Sequence, residues 1–244
     1  MRRKKRDRSI RLLFIFLFAL TMAYFEASVV VYLRIIAYPS GFSFPLEPVP
    51  AFVVGTEIGR EAASLIMIFT VAMMSGRNRR ERFGCFLFIF GIWDMFYYLI
   101  LRVLIGWPET LLTWDVIFLI PVVWSGPVLA PVIVAAGMTG FGCLLIMDES
   151  KRDRRRIMDT PSRVILSAGF LTLFSAFIWD YTGFVLKQGC GTMLDVLFDM
   201  SRVYIPVRFP WPVFLFGVAL LNWAVLRTWK KGSEKDKETQ GEDI

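Results

Sequence analysis

Long apolar runs alternate with short basic ones along this chain. Each apolar run reaches the roughly 20 residues a helix needs to cross about 30 Å of hydrocarbon. The pattern predicts six spanning helices, over residues 10–37, 51–74, 83–105, 127–147, 162–186 and 211–229. The fold class expected is all-α, a polytopic membrane helical bundle. Residues 1–9 form a basic N-terminus, 10–229 the six-helix domain, and 230–244 a charged tail without aromatics, expected to be disordered.

The apolar stretch from 111 to 147 is too long for one span, since a straight helix over it would measure roughly 55 Å. It breaks at VVWSGPVLAP, where Ser125, Gly126 and Pro127 make a stop and a restart. LLTWDVIFLIPVVW is therefore expected to form a short interfacial or re-entrant helix before helix 4. Pro131 is expected to kink helix 4 near its start.

Charge sets the expected orientation. MRRKKRDR, GRNRRERF, DESKRDRRRIMD and the C-terminal tail hold nearly all the Lys and Arg. The alternate loops hold few, so positive-inside predicts a cell-membrane protein with both termini cytoplasmic. That requires an even number of spans, in agreement with six. The N-terminal run resembles a signal peptide in its basic and apolar parts. It lacks a clean A-x-A site and stays apolar as far as Ala37, so retention is expected.

Composition supports the membrane reading and narrows the chemistry. The 244 residues are 56% hydrophobic, with a mean hydropathy of +0.55 and a net charge of +7. Because the basic residues sit in short loops, the charge is no nucleic-acid signal. There are no histidines, which excludes His-ligated haem, His-containing zinc sites and imidazole catalysis. Cys85, Cys143 and Cys190 lie far apart without a CxxC, against a disulfide framework or a dithiol centre. No cofactor is expected.

Acid and base recur at a fixed spacing inside the apolar runs. FEASVVVYLR places Glu26 eight residues before Arg34, and WDMFYYLILR places Asp94 eight before Arg102. FIWDYTGFVLK repeats Ile-Trp-Asp, with Lys187 seven residues after Asp180. TWDVIFLIPVVW and MLDVLFDMSRVYIPV also share Asp-Val, a following Phe and Ile-Pro-Val. The pattern suggests three tandem helical hairpins in parallel orientation, the first the most diverged.

In helix 2, Glu57, Arg60 and Glu61 share one face by their i, i+3, i+4 spacing. At about 1.5 Å per residue, these groups and Glu26, Asp94 and Asp180 fall at similar depth, toward the outer side. Each charge costs about 2.5–3.5 kcal/mol to insert unless paired or wet. The ligand- or ion-binding candidates are therefore Glu26, Glu57, Arg60, Glu61, Asp94 and Asp180. Arg34, Arg102, Asp115 and Lys187 are candidates for an outer gate, and no metal site is expected. The plainer alternative is that the pairs only lock helices together, at about 0.6 kcal/mol each.

Asp195 and Asp199 form DxxxD without a second acidic cluster, and read as solvated loop. Trp107, Trp114, Trp124 and Trp211 read as an aromatic belt. DESKRDRRRIMD reads as a topology determinant that could also meet anionic lipid. Ala136-x-x-x-Gly140 would permit close helix packing.

A small transporter or channel-like protein fits these features best, with an outward-opening cavity lined by carboxylates and arginine. A non-catalytic membrane subunit or assembly factor is the alternative. An intramembrane lipid-modifying enzyme ranks third, because there is no nucleophile–base pair, metal cluster or phosphate loop. The partners expected are the lipid bilayer and a second copy or another membrane protein, without nucleic acid.

Overall fold

The computed structural model describes residues 2–39, 41–47, 49–147, 159–188 and 203–241. It is mostly helical. The helices are α1 (Arg2–Ala37), α2 (Ala51–Ser75), α3 (Arg79–Ile105), α4 (Leu129–Met147), α5 (Thr160–Gln188) and α6 (Trp211–Gly241). All six are long and apolar enough to cross a membrane. Asp195, Asp199, Cys190 and the basic loop 148–158 lie outside the described residues.

Local chemistry sets the helix ends. Asn78 caps α3 by accepting the Glu81 N–H at 3.0 Å, and Glu81 accepts the Arg77 N–H at 3.1 Å. At the other end Gly106 takes a φ of 70° and returns its N–H to the Arg102 carbonyl. That left-handed turn suits glycine. Asp159 caps α5 through the Ser162 N–H at 3.2 Å. The last helix runs on to Gly241, through charged residues where the composition predicts disorder.

The segment before α4 is not a helix. It is an antiparallel hairpin, with β1 (Trp114–Phe118) paired to β2 (Trp124–Pro127). Asp115 faces Gly126, Val116 faces Ser125, and an irregularity follows before Phe118 meets Trp124. The physical reason is composition. Val116, Ile117, Ile120, Val122 and Val123 are β-branched and Trp114, Phe118 and Trp124 aromatic, which favours a pleated surface. A lone hairpin is marginal in water. This one is covered: a Cβ on Gly126 would come within 2.9 Å of the Phe209 ring. The expected kink also has no cause. α4 starts at Leu129, so Pro131 sits in its first turn, where no helical hydrogen bond is lost.

α3 is the spine and packs against α1, α2 and α4. It meets α4 backbone to backbone. A Cβ on Gly142 would lie 2.7 Å from the Gly84 carbonyl and from the Phe88 nitrogen, and one on Gly91 would strike Thr139 and Ala135. Gly140 has nothing within 4 Å and Ala136 is exposed, so the small pair expected to mediate packing does not. α5 and α6 form a second close pair, Gly169 against Leu221 and Gly217 against Leu173. Ile15, Ala19, Ile68, Ala72, Ile89 and Ile92 belong to a continuous apolar cluster that fills α1–α3 toward the basic end. A Phe177–Phe209–Phe214 cluster joins α5 and α6 to the hairpin.

Candidate functional site

A cavity of about 180 Å³ opens among α1, α2, α3, the loop after α1 and β1. Six carboxylates line it (Glu26, Glu47, Glu57, Glu61, Asp94 and Asp115) against two guanidiniums, Arg34 and Arg60. Helical spacing explains the convergence on α2, where Glu57, Arg60 and Glu61 occupy one face.

The charges are organised rather than diffuse. Arg60 bridges α1 and α2: it pairs with Glu57 at 2.7 Å and with Glu26. Ser64 donates to the other Glu26 oxygen at 3.1 Å. Glu61 reaches across to the hairpin, and both its oxygens accept the Leu119 N–H, at 3.1 and 3.0 Å. Asp115 accepts from Arg34 at 3.1 Å and from the Tyr98 hydroxyl at 3.3 Å. Burial pushes the Asp115 carboxyl up to about 6, against the pull of Arg34. The Arg34 guanidinium lies 3.5 Å from the centre of the Trp107 ring and 4.3 Å from that of Phe42.

Asp94 differs from all of these. It faces the cavity from the middle of α3, and among the described residues it has no hydrogen bond or ion pair. Trp93, Tyr97, Tyr98 and Phe118 line the same space.

Three other candidates stand elsewhere. Asp180 accepts from the Tyr204 hydroxyl at 2.8 Å and from the Val207 and Arg208 N–H groups at 3.1 and 3.3 Å. Tyr204 also hydrogen-bonds Ser125 at 2.9 Å, which ties α5 to the hairpin and to the segment before α6. Burial raises the Tyr204 hydroxyl well above its usual range. Arg102 donates to the Gly106 and Pro108 carbonyls at the end of α3. Lys187 is exposed on the last turn of α5. None of the three lines the cavity.

Of the four tryptophans read as a belt, only Trp107 is buried, and Trp114, Trp124 and Trp211 are half-buried. Trp107 is buried on Arg34, Trp124 stacks on Phe177, and Trp114 and Trp211 meet Phe209 edge to face. Tyr97 and Tyr98 line the cavity although the acid–base spacing does not point to them. Their signal was present, since they stand three and four residues past Asp94 and so share its face. Nor does that spacing point to Arg11 at the basic end, which pairs with Glu81 at 2.8 Å and caps the Ser75 carbonyl at 3.0 Å.

Among the described residues no three carboxylate or thiol side chains converge on a metal-sized point. No family model, curated protein or solved structure matches the chain.

Proposed function

We propose that the protein is a small multi-pass transporter or channel-like protein of the cell membrane, with both termini cytoplasmic and the cavity opening outward. The orientation rests on the basic loops at one end of the bundle. Insertion is supported by the apolar exterior, where Phe14, Phe25, Ile36, Phe52, Met74 and Val103 are more than half exposed.

The unpartnered Asp94 carboxylate carries the reading. A carboxyl held among apolar helices with no partner must take up a proton, water or a cation, and all three suit a site for cations or protons. The surrounding carboxylates outnumber the guanidiniums, so the cavity's field favours a positive solute. The Arg60 bridge fixes α1 to α2, and Glu61 and Arg34 hold the hairpin over the space. On the far side of Asp94 the apolar cluster closes the path. A solute bound from outside would cross only if α1 and α2 parted from α3 there.

Proteoliposomes on a solid-supported membrane test the reading, with steps of Na⁺, K⁺ and methylammonium. Wild type should give saturable currents with at least one cation, and D94N should abolish them while keeping its melting temperature. A second reading has its own support: Arg60 pairs with Glu26 and Glu57, and Arg34 with Asp115, as in a structural subunit. That reading predicts no current for wild type, a melting temperature lowered by Arg60→Met, which breaks the bridge, and little change for D94N, which breaks no contact.

A further inference from the structure

The cavity's polar groups divide into spent and unspent. Glu26 and Glu57 hold Arg60, Glu61 holds a backbone N–H, and Asp115 holds Arg34 and Tyr98. That leaves two carboxylates: Glu47, which is exposed, and Asp94, which faces the cavity beside the rings of Trp93, Tyr97 and Phe118. A bare metal cation of the calcium kind takes about six to eight oxygens at close range. One carboxylate among rings and aliphatic side chains supplies too few. An ammonium group on a carbon body asks for something else: one carboxylate, ring faces toward its charge, and apolar walls for the rest.

Size limits the body. The cavity measures about 180 Å³. An apolar cavity of about 150 Å³ accommodates benzene. A whole lipid or peptide is therefore too large to be enclosed, and a single ring or short branched chain fits. Resting on the reading of this cavity as a cation site, we propose that its occupant is a small organic ammonium ion of about one-ring size. Its nitrogen sits on Asp94 and its body lies among Trp93, Tyr97 and Phe118.

The full-length protein in mild detergent is titrated with benzylammonium chloride while its thermal unfolding is followed. Benzyl alcohol, NaCl, KCl and CaCl₂ serve as comparisons. Benzylammonium should raise the melting temperature saturably and benzyl alcohol should not. D94N should bind the amine about tenfold or more weakly, the scale of a hydrogen-bonded charge. Phe118→Ala keeps the carboxylate and removes a wall, so it should weaken amine binding several-fold. It carries the test should D94N fail to fold. Saturable stabilisation by Na⁺, K⁺ or Ca²⁺ with none by the amine would overturn the ammonium assignment and leave the cation cavity standing. No effect from any of these cations would overturn both. Amine binding unchanged in D94N and F118A would remove the proposed seat.

Discussion

Arg34 and Asp115 meet at 3.1 Å, both side chains more than nine-tenths buried, across 81 positions of sequence. This ion pair fastens the hairpin to the end of α1. Removing one member strands the other as a buried charge, a loss of about 3–5 kcal/mol. Arg34→Met and Asp115→Val should each lower the melting temperature in detergent strongly. The double variant should lose much less than the sum, because an apolar pair of similar volume leaves no orphan.

The same carboxylate makes stability depend on pH. In the folded protein Asp115 titrates at about 6, above its ordinary value of 3.8, because burial outweighs Arg34. The folded state therefore holds the proton more tightly than the unfolded chain. The stabilisation this gives is fully present below about pH 4 and is lost as the pH rises through 6. Melting temperatures of wild type minus D115N, taken from pH 4 to 7, should fall across that window. A flat difference would mean that Asp115 titrates alike in both states.

Close helix contact is expected to be specific to the glycines that touch. Gly142→Val would push a side chain into the Gly84 carbonyl and should cost the protein its monodisperse peak in size-exclusion chromatography. Gly140→Val, two residues away, meets open space and should leave that peak and the melting temperature nearly unchanged.

Asp180 and Asp94 share an Ile-Trp-Asp motif but should answer differently to substitution. Asp180→Ala removes the acceptor for Tyr204 and for two backbone N–H groups. The two N–H groups are exposed and Tyr204 keeps Ser125, so each lost bond costs about 0.5–1.5 kcal/mol and the melting temperature should drop modestly. Asp180→Asn keeps one oxygen and should recover part of it. Neither change should alter cation currents, which are read at Asp94.

Much of this architecture is legible along the chain. Apolar runs of spanning length give the six helices, and the convergence of Glu26, Glu57, Arg60, Glu61 and Asp94 follows from helical spacing and equal depth. The hairpin is not legible in that way. A short apolar run reads equally well as buried strand or buried helix, and only its β-branched content leans toward strand. Asp180 escaped for a different cause. Its partners Tyr204, Val207 and Arg208 come more than 20 residues later, and nothing within the motif announces them. Ala136 and Gly140 have the spacing for close packing but lie on the wrong face, whereas the glycines that touch, Gly84 and Gly142, lie on different helices, where no spacing rule joins them.

Glu61 grips the hairpin by a main-chain atom, the Leu119 N–H. Every amino acid but one presents that same donor. Among related chains, position 119 would be free to drift through many side chains with the fastening intact, so no sequence comparison would mark it. Proline alone lacks the hydrogen, and a single Leu119→Pro exchange would undo what no other exchange there touches directly.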